Sequence, residues 1–127
     1  MINTLMNYQI LKDHFNQEVS DQLQMADSIS KNGKSLVIQK IPIKVEIEAN
    51  NDEVEVIIIT SKILKTPLYD EIFMALEKCL NCSSIKFYNA YQSAIKKGIS
   101  VSAENNHVKA VHDASNGTLK VKITKVQ

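Results

Sequence analysis

The sequence predicts an α+β domain: a five-stranded antiparallel sheet, two helices on one of its faces, and a long helix at the N-terminus. Three observations predict it. Residues 99–126 alternate apolar and polar side chains around two Asn-centred turns, and residues 36–60 do the same around a third. The segments 4–30, 67–80 and 84–97 instead repeat apolar residues every three or four positions, which is the helical period.

Over 4–30, Leu5, Tyr8, Leu11, Phe15, Val19, Leu23, Ala26 and Ile29 form the stripe of one amphipathic helix, and Asn32-Gly33 ends it with a residue suited to the left-handed conformation. The opposite side is rich in Asn, Gln and Asp. Residues 1–33 are therefore the expected element of association, through Leu5, Tyr8, Leu11, Phe15 and Val19.

The hairpin 36–60 places Ile41, Ile43, Val45, Ile47 and Ala49 in alternation with Pro42, Lys44, Glu46 and Glu48, before the Asn50-Asn51-Asp52 turn. An even loop sets Val45 and Ile47 on the face of Val54, Val56 and Ile58. Ile57 and Ile59 then point to the back, where the N-terminal helix or a partner subunit is expected to cover them.

Thr66-Pro67 opens the helix 67–80 as N-cap and first turn, with Asp70 and Glu71 near its start and Lys78 near its end. Its expected buried stripe is Leu68, Ile72, Phe73, Leu76 and Leu80. After a break at Asn81-Cys82-Ser83, Ile85, Tyr88, Tyr91 and Ile95 suit a helix over 84–97 ending at Gly98, although 85–88 also fits a short strand.

In the meander, Asn116-Gly117 favours a type I′ turn, which sets Asp113 opposite Lys120, His112 opposite Val121 and Ala110 opposite Ile123. A second turn at Asn105-Asn106 sets Ala103 opposite Val108, Val101 opposite Ala110 and Ile99 opposite His112. One face is then Ile99, Val101, Ala103, Val108, Ala110, Ala114, Leu119, Val121 and Ile123, with His112 among them. The other carries Ser100, Ser102, Glu104, His107, Lys109, Asp113, Lys120, Lys122 and Thr124. A one-residue slip would invert both.

Strand–strand, helices, then a three-strand meander is an element order that resembles the PAS and related small sensor domains. The resemblance implies a five-stranded sheet with helices on one face and often an N-terminal helix on the other. For a sensor of that build it implies an internal cavity, here near His112 and Tyr91.

At 127 residues the chain is expected to form one domain, 1–127, with a core of its own. No apolar run approaches the roughly 18 residues of a membrane span, and no charged-then-apolar leader opens the chain, so a cytoplasmic location is expected. All 15 basic residues are Lys. Without the bidentate fork of Arg, sequence-specific nucleic-acid reading is disfavoured. Residues 1–83 hold 8 Lys against 12 acids and residues 84–127 hold 7 Lys against 2, a polarity that a solvated sheet face explains more simply than an anion-binding surface.

Cys79-Leu80-Asn81-Cys82 is the sharpest local pattern. A zinc site would need two further ligands, and His107 and His112, five apart on one strand, face opposite ways. Cys82, at the start of a helix, is the better placed for thiol chemistry. Two structural cysteines remain the leading reading. His112, on the apolar face, is read first as a satisfied core histidine, and with Tyr88 or Tyr91 as the polar contents of any cavity. Lys109, Lys120 and Lys122 would form the platform of a nonspecific nucleic-acid binder, but the face lacks stacking aromatics. Glu46, Glu48 and Glu55 read as solvated surface or as half of an interface. No nucleophile–base set or phosphate loop is apparent, and the three glycines are used by turns and helix ends. The expectation is a non-enzymatic protein-interaction or adaptor domain without a cofactor, whose partner is another protein or a second copy of itself. The alternatives are a small-molecule sensor or a nonspecific nucleic-acid binder.

Overall fold

Six strands order themselves as β2-β3-β4-β7-β6-β5, all neighbours antiparallel, and a two-residue strand β1 (Met6–Asn7) pairs with β4. The structure is a computed structural model that describes residues 4–126; residues 1–3 of the expected association element, and Gln127, lie outside the described residues. The ranges are β2 Gly33–Lys40, β3 Ile43–Asn50, β4 Glu53–Ser61, β5 Ser100–Asn105, β6 Val108–Asp113 and β7 Leu119–Lys125. Three helices, α1 (Tyr8–Glu18), α2 (Pro67–Cys79) and α3 (Ile85–Lys97), accompany the sheet.

The expected α+β class holds, but the sheet has one more long strand than expected because Pro42 ends a strand instead of riding inside one. Proline has no N–H to give a ladder. Ile41-Pro42 form the turn, joined by a cis bond, and Lys40 pairs with Ile43. Gly33, expected to stop a helix, opens β2 with φ +98°.

The N-terminal helix is short. It starts at Asn7, whose Oδ1 accepts the N–H groups of Gln9 and Ile10, and it gives way to extended backbone at Val19. The stretch that follows is held by side chains: Met25 N–H donates to Asn16 Oδ1 (2.7 Å), Ser20 N–H to Glu71 Oε2 (2.7 Å), and Gln24 Nε2 to the Asn16 carbonyl (3.0 Å). The Asn16 side chain so placed competes with the helical ladder. The apolar spacing survives because Leu23 and Met25 are buried, and Val19, Ala26 and Ile29 pack partly against the core, from a 3₁₀ turn (Asp21–Leu23) and extended chain.

The β3–β4 loop is the even, two-residue kind, with Asn51 and Asp52 at φ +54° and +65°. A bulge between Glu48 and Ala49 in the pairing then reverses the expected parity. Ile57 and Ile59, opposite Ile47 and Val45, are fully buried on the core face, while Val56 and Ile58 lie on the outer face. The expected cover for the back of this strand is therefore not needed: α1 joins the same core as α2 and α3, and packs beside α2. Six long strands, and an N-terminal helix on the same side as the others, depart from the arrangement that the PAS resemblance implied.

In the meander, the β6–β7 register is as expected, His112 opposite Val121 and Asp113 opposite Lys120. The turn differs: Gly117 takes φ +78°, and its N–H donates to the Ala114 carbonyl (3.4 Å), while Asn116 does not enter the positive-φ region. The β5–β6 turn forms one residue later than expected, at Asn106-His107 (φ +49° and +66°), so that Val101 meets His112 and Ala103 meets Ala110. This two-residue change of pairing preserves parity. Both faces accordingly keep the expected membership, though Ile99, before the strand, is largely exposed.

Asn81, at φ +54°, closes α2 in a Schellman motif: Cys82 N–H donates to the Glu77 carbonyl (2.9 Å) and Asn81 N–H to the Lys78 carbonyl (3.2 Å). Ser84 caps α3, its Oγ accepting the Lys86 N–H, so residues 85–88 are helix and not strand.

Candidate functional site

The stripe that α2 turns toward α3 carries Tyr69, Phe73 and Glu77 at successive turns, with Asp70 and Met74 one position on, and α3 answers with Phe87, Tyr88 and Tyr91. Side chains three and four apart stack along a helix face, so two such stripes make the walls of a groove. His112, on the core face of β6, completes a cavity of about 210 Å³. Met74 and Tyr88 are more than half exposed, whereas Tyr69, Phe87 and Tyr91 are buried.

The aromatic rings hold one another in place. Tyr69 stacks on Tyr91 (centroids 4.7 Å apart) and on Phe73 (5.7 Å), and Phe73 meets Phe87 edge-on. His112 lies against Phe73 and Tyr91 at 5.4 and 5.9 Å. Its Nε2 shares a buried hydrogen bond of 2.8 Å with Tyr69 Oη. Its Nδ1 is buried with no hydrogen-bond partner among the described residues. Leaving such an atom unpaired costs about 1–3 kcal/mol.

Burial lowers the His112 pKa to about 4, so the imidazole is neutral at pH 7. Tyr91, whose Oη donates to the Leu64 carbonyl (3.3 Å), is pushed up to about 12 by burial and then by Asp70. Tyr69 is raised well above its ordinary value by burial, with smaller contributions from Tyr91, Asp70 and Glu77. Asp70 and Glu77 are themselves raised, in both cases mainly by desolvation. The lining thus has two carboxylates, a neutral imidazole and no lysine.

Of the residues singled out from the sequence, His112, Tyr88 and Tyr91 meet around this cavity. Tyr69, Asp70, Phe73, Glu77 and Phe87 were not assigned to it. The stripe of α2 begins at Tyr69 rather than Leu68, and that of α3 is Phe87, Ala90, Tyr91 and Ala94, with Ile85 and Tyr88 exposed. Tyr69/Phe73 on α2 and Phe87/Tyr91 on α3 are each spaced i, i+4, the one signal in the sequence that sets these rings on a shared helix face.

Tyr8, Leu11 and Phe15, expected on an association helix, are buried in the chain's own core, and Leu5 and Val19 pack partly against it. The Tyr8 hydroxyl donates to the Ala26 carbonyl. Cys79 ends α2 and Cys82 lies just beyond it; both are free thiols. Burial first, and then Glu18 or Glu77, pushes them up to about 11 and about 12, against the lowered pKa expected at a helix start. Among the described residues no group of three or more His, Cys, Asp or Glu is placed to hold a metal ion. The spacing of the two cysteines follows from the Leu80-Asn81 helix end between them.

Lys109, Lys120 and Lys122 share the outer face of the sheet. Lys109 lies opposite Glu104, Lys120 opposite Asp113, and Lys122 between Ile58 and Val111. No described helix is long and apolar enough to cross a membrane. Compared with known protein families, curated proteins and solved structures, the chain finds no match.

Proposed function

We propose that this chain is a non-enzymatic ligand-binding domain that takes a small organic molecule into the cavity between α2, α3 and β6. The observation that carries the proposal is the cavity itself, whose aromatic walls of Tyr69, Phe73, Phe87 and Tyr91 carry the carboxylates of Asp70 and Glu77. A binding site uses a few polar groups within apolar walls to orient its ligand. The size is apt, since a cavity of about 150 Å³ already holds a benzene ring.

The test is NMR titration of the labelled protein with mixtures of small amines, acids, alcohols and nucleosides. The expected result is a compound that shifts His112, Phe87 and Tyr91 together, and whose affinity falls in Met74→Trp, which places a larger ring at the exposed mouth. If no compound shifts these residues, or if binding is undiminished in Met74→Trp, the proposal fails.

A second reading, self-association, is favoured by the charge pattern of the open sheet face. Across the strand order β2-β3-β4-β7-β6-β5, one row reads Lys34, Glu48, Val56, Thr124, Lys109, Glu104 and another Gln39, Lys44, Thr60, Lys120, Asp113, Ser100. A two-fold axis parallel to the strands, midway between β4 and β7, would lay β3 of one copy over β6 of the other and β2 over β5. Lys34 would then face Glu104, Glu48 face Lys109, and Lys44 face Asp113, each pair occurring twice.

A further inference from the structure

The charges of the cavity lining select among ligands. Asp70 and Glu77 stand seven residues apart on α2, so they lie on one side of the helix about two turns, or roughly 10 Å, from each other along its axis. Between them sit Phe73 and Met74, and across from them the rings of Phe87, Tyr88 and Tyr91. Asp70 and Glu77 are half-buried. Glu77 Oε2 accepts the Ser84 N–H (3.0 Å), which anchors that carboxylate at the α2–α3 junction. No lysine lines the cavity among the described residues, and Lys65, the cation that acts on Asp70, only partly offsets the effect of burial there.

Resting on the ligand-binding reading above, we infer that the ligand is a protonated amine carried on a compact apolar or aromatic body. Carboxylates attract an ammonium, and aromatic faces hold it by their quadrupole while packing against the rest of the molecule. A volume of about 210 Å³, open beside Met74 and Tyr88, has room for a one-ring amine.

Three probes of one shape separate the possibilities: phenethylamine, 2-phenylethanol and phenylacetate, each titrated into the full chain while the His112 ring nitrogens and the Phe87 and Tyr91 resonances are followed. The amine is expected to bind at least about tenfold more tightly than the alcohol, with the acid weakest. In Asp70→Asn/Glu77→Gln, that preference for the amine is expected to shrink to below about twofold. Alcohol or acid binding as tightly as the amine overturns the cationic ligand while leaving the cavity a binding site. If none of the three moves the His112, Phe87 and Tyr91 resonances, the site reading itself falls, and this inference with it.

Discussion

His112 joins the stability of the chain to the chemistry of its cavity, because the imidazole is buried without a charge partner and its pKa falls from 6.5 to about 4. Below pH 6.5 the unfolded chain takes up a proton that the folded chain refuses, so stability is complete above that pH and is lost as the pH falls toward 4. Between pH 7 and 5 the loss is about 2 kcal/mol. Asp70 and Glu77, raised by burial, act in the opposite sense once the pH reaches the carboxylate range, so the effect of His112 is read above pH 5. Denaturant midpoints from pH 7 to 5 are expected to fall in the wild type and to stay nearly level in His112→Leu; equal slopes would show that His112 does not titrate in this way. The place of His112 was legible from strand parity alone. Its partner Tyr69 was not, because Leu68 fits the helical period almost as well and a phenol is not marked as interior until something for it to bond is known.

At the scale of elements, burial was more legible than conformation. Leu11, Phe15 and Leu23 are fully buried as their spacing implies, yet only the first two lie in an α-helix, since a chain that wraps a core through a 3₁₀ turn and extended segments also returns an apolar side chain every few residues. What ends α1 is a set of side-chain-to-backbone bonds from Asn16 and Glu71, and these depend on the tertiary structure. The bulge that turns Ile57 and Ile59 inward carries no signature beyond an extra residue. Phe15 tests the placement of α1. Since the ring is fully buried against the single core, Phe15→Ala should cost about 3–5 kcal/mol, enough to lower the melting temperature by more than 10 °C. An unchanged melting temperature would mean that α1 is a separable arm, available to a partner as its stripe first indicated.

At the scale of the whole molecule, the described helices all lie on one side of the sheet, and no described helix covers the other. Its middle row, Leu36, Glu46, Ile58, Lys122, Val111 and Ser102, mixes apolar and charged residues, and Leu36 is nearly half exposed. Six strands about 4.8 Å apart and some 20 Å long offer only about 600 Å² a side, short of the roughly 800 Å² of a standard interface, so a face-to-face dimer would be weak and its charges would matter. Reversing one charge turns two symmetric attractions into repulsions, a change of about tenfold or more in dimer affinity at low salt. Glu48→Lys and Lys109→Glu should therefore each be monomeric in sedimentation equilibrium where the wild type dimerises. Mixed together they should form a heterodimer, because each copy then presents the charge that the other lacks. In the sheet Glu48 lies beside Lys34, and Lys109 beside Glu104, so damage within one chain could not be repaired by mixing. Recovery on mixing would therefore report contact between copies, and a wild type that stays monomeric at millimolar concentration would leave the open face to solvent or to a different partner.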